Sequence, residues 1–176
     1  MRYLELRRHA DSEGDALTPE GRTTAERVGR EMDGKFDGVF TSPAKRAAES
    51  AAWFLRGLGQ QLPQLHGVTD GLTSPEEDRW REAAKRSETG RVDDIERTDP
   101  ELLRSELPRL TDAALQMLAA IEDGQRALAI GHSPLLEAAV YGLTGRVLEP
   151  LGRCEGVLLG HDGERVTVEA ERRLED

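Results

Sequence analysis

The chain has 176 residues, the length of one ordinary domain with a core that needs no staple. Its net charge of −10 at pH 7 sets it against nucleic acid and anionic membrane, and its single cysteine, Cys154, excludes an internal disulfide or a thiolate metal cluster. No run approaches the roughly 18 apolar residues of a membrane span, so the expectation is a soluble cytoplasmic protein without nucleic-acid or membrane partners.

Tyr3, Leu4 and Leu6 open an extended segment that ends in Arg7-Arg8-His9, followed by a polar stretch, Asp11 to Asp15. Thr18-Pro19 reads as an N-cap and first helical residue, and Ala25, Val28, Gly29 and Met32 then recur at helical spacing up to Gly34. Phe36 to Thr41 is a short strand. Ser42-Pro43 repeats the cap-and-proline signal ahead of a stripe of mostly small residues running from Ala44 to Leu58. Gln64 to Thr69 is a third, weaker strand.

From Asp70 to Glu106 twelve acids face seven bases, and little besides Trp80, Ile95 and a few leucines is available to pack. This segment, about 70–106, reads as a partly helical, solvated insertion or a mobile lid. Leu110 to Ile121 then forms a strong amphipathic helix closed by Gly124. Ala127 to Ile130 is a continuous apolar run, as a central parallel strand buried on both faces requires. Gly131-His132-Ser133-Pro134 turns into another helix, and residues 156–170 read as a hairpin turning at His161-Asp162-Gly163. The expected fold is a single α/β domain over 1–176. It is a three-layer sandwich with a mostly parallel central sheet, helices on both faces and an antiparallel C-terminal hairpin at one edge.

Ligands of open α/β sheets sit where strands hand the chain to helices. Three such junctions carry reactive residues: Arg8-His9, Thr41-Ser42 with Arg46 behind it, and Gly131-His132. Lysine occurs only at 35, 45 and 85, so an anion pocket here is built from guanidinium forks, which suit phosphate. A neutral imidazole among arginines is a competent nucleophile. Each residue taken alone also has an ordinary reading: His9 as an exposed strand end, His132 as a capping or core histidine. Arg46, on the first turn of a helix, is misplaced against the dipole unless an anion lies in front of it. His66 and His161 carry no such context.

Leu6-Arg7-Arg8-His9-Ala10, Leu17-Thr18-Pro19-Glu20-Gly21, Thr41-Ser42-Pro43 with Arg46, and Ile130-Gly131-His132-Ser133 together resemble the histidine phosphatase (phosphoglycerate mutase-like) superfamily, over nearly the whole chain. The short segment after the nucleophile is closest to the SixA-type phosphohistidine phosphatases, although the insertion is longer than theirs. Ala10 stands where the family has glycine, and the mutase-type segment is absent. The resemblance implies His9 as a nucleophile phosphorylated and then hydrolysed, Arg8, Arg46 and His132 as the phosphate pocket, a carboxylic acid as proton donor, and no metal or other cofactor. Asp70 is the donor candidate because it follows the third strand, with Glu76, Glu77 and Asp11 as competitors. The implied activity is hydrolysis of a phosphomonoester or a protein phosphohistidine, so the partner is a phosphorylated small molecule or phosphoprotein; oligomeric state is left open. The alternatives are mutase-type phosphotransfer and a catalytically weak phosphate-binding regulatory module. The acidic segment suggests a leaving group that is neutral or cationic.

Overall fold

The computed structural model describes residues 1–175. Strand β1 (Arg2–Arg8) is followed by a small hairpin of β2 (Ser12–Glu13) and β3 (Ala16–Leu17), then helix α1 (Pro19–Glu31). Next come β4 (Gly38–Thr41), α2 (Lys45–Leu58) and β5 (Leu65–Val68). A 3-10 turn at Asp70–Leu72 leads into α3 (Glu77–Arg86), α4 (Val92–Thr98) and α5 (Pro100–Ala119). The chain closes with β6 (Arg126–Gly131), α6 (Leu135–Thr144), β7 (Gly156–His161) and β8 (Val166–Arg172). No helix among the described residues is long and apolar enough to cross a membrane.

Six strands form one sheet in the order β5-β4-β6-β1-β7-β8. The first four pair in parallel, while β7 runs antiparallel to β1 and carries β8 as an antiparallel edge. The parallel register places the C-terminal ends of β1, β4 and β6 side by side: Thr41 lies opposite Ile130, and Arg8 opposite Gly131. This is the predicted mostly parallel sheet with its terminal hairpin. β5 is weak because it is a four-residue edge strand with Val68 exposed.

The period-two alternation of the strands divides the core. Leu4, Leu6, Ala127 and Ala129 pack under α5 and α6, while Val39, Leu128 and Ile130 pack under α1 and α2. The charged positions of β1 also turn inward. Glu5 is fully buried and pairs with Arg7 at 2.7 Å and with Arg126. Burial opposes ionisation of Glu5, but the two guanidinium groups outweigh it and hold the carboxyl below its usual range.

Two local readings need correction. Ser42 does not cap α2: the helix starts at Lys45, and its first backbone N–H groups, from Lys45 and Arg46, donate to Asp15 at 3.2 and 3.3 Å. Ser42 Oγ is instead 2.7 Å from the His132 ring. Nor is the acidic segment largely solvated. Trp80, Ala83, Val92, Ile95, Leu102 and Leu103 form a third core cluster against Leu135, Ala138 and Ala139 of α6. Of the acids of α3, Asp78 and Glu82 lie on the exposed surface of a packed helical wall. Its last helix, α5, begins at the Asp99 cap, well before the amphipathic stripe that announced it.

Candidate active site

The parallel register delivers His9 from the end of β1 and His132 from the end of β6 into one cleft of about 440 Å³, with ring centroids 5.2 Å apart. Arg8 and Arg46 line the same cleft. Arg46 reaches it from the first turn of α2, with Nε 3.4 Å from His9 Nε2 and Nη2 3.4 Å from His132 Nδ1. Its misplacement against the helix dipole is met by Asp15, 3.1 Å away. The backbone N–H of Arg46 is the first of several donors that hold the Asp15 carboxyl below its usual range.

His9 Nδ1 lies 2.8 Å from the Ala10 carbonyl. A carbonyl only accepts, so Nδ1 carries the hydrogen and Nε2 keeps a lone pair toward Arg46. Burial pushes the His9 pKa down to about 3, with His132, Arg153 and Arg46 adding to the effect against the Ala10 carbonyl. Burial likewise pushes His132 down to about 4, assisted by Arg46 and Arg8. Both rings are therefore neutral at pH 7.

Sequence reasoning did not reach Arg153. Its Nη1 sits 3.2 Å from Nδ1 and 3.5 Å from Nε2 of His9, adding a third guanidinium to those of Arg8 and Arg46. The loop that carries it is held by β1: Arg7 Nη1 donates to the Cys154 carbonyl at 2.8 Å, and Cys154 takes φ +64°, a left-handed conformation unusual for a side chain. The thiol itself, pushed by burial up to about 12, is inert. Arg8 Nη1 donates to the Leu151 carbonyl at 2.8 Å, while its Nε is buried with no protein partner. Glu137, buried on α6, also escaped the sequence reading. It accepts from Ser133 Oγ and from the Leu151 backbone at 2.8 Å, and burial pushes its carboxyl up. It ties the loop after His132 to the loop that holds Arg8.

The carboxylates fall differently from expectation. Asp70 is exposed at the head of the 3-10 turn and is absent from the cleft lining, whereas Glu77, at the start of α3, lines the cleft with Trp80. Neither Glu76 nor Asp11 lines it. A second groove of similar size lies between α2 and β5, lined by apolar groups including Leu55, Leu62 and Val68, away from these residues.

The sequence profile of the histidine phosphatase superfamily (branch 1) matches residues 3–169. The chain belongs to that superfamily. No match is found among curated protein sequences. Among solved structures, the histidine phosphatase fold of this chain is similar to phosphoglycerate mutase from Bacillus anthracis, with a TM-score of 0.68 at 19% identity, covering 96% of this chain and 91% of that one. It is similar to a phosphoserine phosphatase from Entamoeba histolytica in complex with 3-phosphoglyceric acid, with a TM-score of 0.71 at 17% identity over 99% and 98% of the two chains. The protein histidine phosphatase SixA complexed with tungstate matches with a TM-score of 0.59 at 21% identity over 97% and 96%.

Proposed function

We propose that this histidine phosphatase superfamily member is a metal-independent phosphatase that hydrolyses a phosphomonoester or a protein phosphohistidine through a covalent phosphohistidine on His9. The observation that carries the reading is a neutral His9 whose Nε2 lone pair opens between two guanidinium groups, Arg46 and Arg153. Arg8, Arg46, Arg153 and His132 hold the phosphoryl oxygens, and the charge of the phosphate repays the cost of gathering cations in a partly buried cleft. As the His9 Nε2–phosphorus bond forms and the phosphorus–oxygen bond breaks, the leaving oxygen takes a proton from the Glu77 carboxyl. Water then attacks the phosphohistidine, returns a proton to Glu77 and releases inorganic phosphate, regenerating neutral His9. Glu77 takes the role first given to Asp70 because it, and not Asp70, lines the cleft.

Incubation with labelled p-nitrophenyl phosphate followed by rapid quenching tests the reading. It should trap label on the protein in an acid-labile, base-stable form, and His9→Ala should abolish both label and turnover. Turnover by His9→Ala close to that of the unaltered protein would refute it.

A further inference from the structure

The acidic segment presents a basic face to the cleft. On α3, Glu77, Trp80, Arg81, Ala84 and Lys85 line the site, and at 3.6 residues per turn these positions share one side of the helix. The acids Asp78 and Glu82 lie outside that lining, and the remaining bases are engaged elsewhere. Arg79 forms a two-pronged ion pair with Asp99 at 2.6 and 2.7 Å, and Arg86 lies 3.7 Å from Glu82. Arg81 is held only by an exposed pair with Asp78 at 3.0 Å, a type of contact worth little. Lys85 has no carboxylate partner; among the described residues the one lysine in an ion pair is Lys45. One weakly held cation and one without an ion-pair partner therefore follow the proposed donor along the wall, Arg81 about 6 Å and Lys85 about 12 Å beyond it at 1.5 Å per residue.

The wall is anchored. Glu106 of α5 accepts from Trp80 Nε1 at 2.9 Å, from Arg109 Nε at 2.8 Å and from Ser74 Oγ, and Ser74 in turn accepts from the Glu76 backbone N–H at 2.9 Å. The basic face is thus fixed relative to α5.

We infer that Arg81 and Lys85 form a subsite for a second anionic group on the leaving-group side, so that the substrate is a small phosphomonoester carrying a carboxylate or a further phosphate. This rests on the phosphatase reading and narrows it, reversing the expectation of a neutral or cationic leaving group. Arg81 lies about one helical turn beyond Glu77, a spacing within reach of a three-carbon skeleton.

Three probes on one skeleton test it: glycerol 3-phosphate, without a second anion, 3-phosphoglycerate, with a carboxylate, and glycerol 1,3-bisphosphate, with a second phosphate. At least one anionic probe should exceed glycerol 3-phosphate in kcat/KM by about tenfold or more at low salt, and which one does identifies the anion. The preference should fall toward unity in the Arg81→Ala/Lys85→Ala variant, persist in Arg81→Lys, and invert in Lys85→Glu. Equal kcat/KM for the three probes, with turnover that still depends on His9, would overturn the subsite and leave the phosphatase reading standing. So would a preference unchanged by the double variant, or turnover confined to a phosphoprotein. If no probe is hydrolysed and His9→Ala matches the unaltered protein on p-nitrophenyl phosphate, both readings fall.

Discussion

At the scale of single residues, the site depends on cations held before any substrate arrives. Arg153 places a guanidinium 3.5 Å from His9 Nε2, the nitrogen proposed as nucleophile, where charge would accumulate as a phosphoryl group is transferred. Removing one such donor from an enclosed site typically costs about 10²–10³ in rate. Arg153→Ala should therefore lower kcat on p-nitrophenyl phosphate by about that factor, and Arg153→Lys should recover only part of it, because an ammonium lacks the planar fork. Steady-state kinetics on the two variants decide this, and an Arg153→Ala rate within threefold of the unaltered protein would remove the residue from the pocket. The proposed donor makes a separate mark. Glu77→Gln should slow hydrolysis of an alkyl phosphate about 10²-fold or more, yet change p-nitrophenyl phosphate little, because nitrophenolate leaves without a proton. Asp70→Asn should show no such difference, and the opposite pattern would return the role to Asp70. Arg8, His9 and His132 are visible in the sequence because each lies at or just beyond the end of a parallel strand, and Arg46 because it stands on the first turn of the helix after β4. Arg153 is not, because it precedes an antiparallel strand, where no such junction exists. Glu77 stands in the sequence only as one competitor of Asp70 among twelve acids, and the face of α3 on which it lies sets it apart.

Packing between elements decides how close the walls stand. The small-residue stripe of α2 permits close approach of α1: a Cβ built on Gly57 would lie 2.0 Å from the Glu26 carbonyl, and one on Gly29 would lie 2.1 Å from that of Phe54. Alanine normally stabilises a helix interior by about 1 kcal/mol over glycine. Here the backbones must separate, and overpacking of this kind costs about 1–3 kcal/mol. Gly57→Ala should therefore destabilise the protein, against helix propensity, in a urea unfolding curve; a gain in stability would show that α1 and α2 can part at little cost. Glu106 offers the complementary test on the other wall. Glu106→Ala strands the buried Trp80 indole N–H and leaves the half-buried Arg109 unpaired, a loss of about 1–3 kcal/mol. Because the same carboxylate fixes α3, the variant should also lose kcat on alkyl phosphates more than on p-nitrophenyl phosphate. The stripes of α1 and α2 and the Thr18 cap of α1 are readable from spacing, whereas the start of α2 depends on Asp15, distant in sequence. The packing of the acidic segment is not readable, because its buried residues, Trp80, Ile95, Leu102 and Leu103, come from three successive helices, α3, α4 and the start of α5, whose apolar faces complete one another only in three dimensions.

For the molecule as a whole, the site is a liability that pH exposes. His9 and His132 have ordinary pKa values of 6.5, lowered in the folded chain to about 3 and about 4, chiefly by burial. As pH falls below about 6.5 the unfolded chain takes up both protons while the folded chain does not, so stability falls with pH down to about 4. Each histidine contributes at most about 1.4 kcal/mol per pH unit in this window, and water in the open cleft reduces that. Glu137 acts in the opposite sense: its carboxyl is pushed up by burial, so the folded chain holds that proton more tightly than the unfolded one. Carboxyls held low by arginine, such as Glu5, add their own loss only below the ordinary carboxylate range. Two histidines against one glutamate leave a net loss between about pH 6.5 and 5, which thermal melts should record as a falling Tm. In the His9→Gln/His132→Gln variant the histidine contribution disappears, and the dependence over the same interval should flatten or reverse under the remaining influence of Glu137. Saturating vanadate should also reduce the slope in the unaltered protein, because a bound oxyanion favours the protonated rings. A Tm that holds steady from pH 6.5 to 5, or a variant with the same slope as the unaltered protein, would show that the two rings are not held neutral by the fold, and the neutral nucleophile would lose its physical basis.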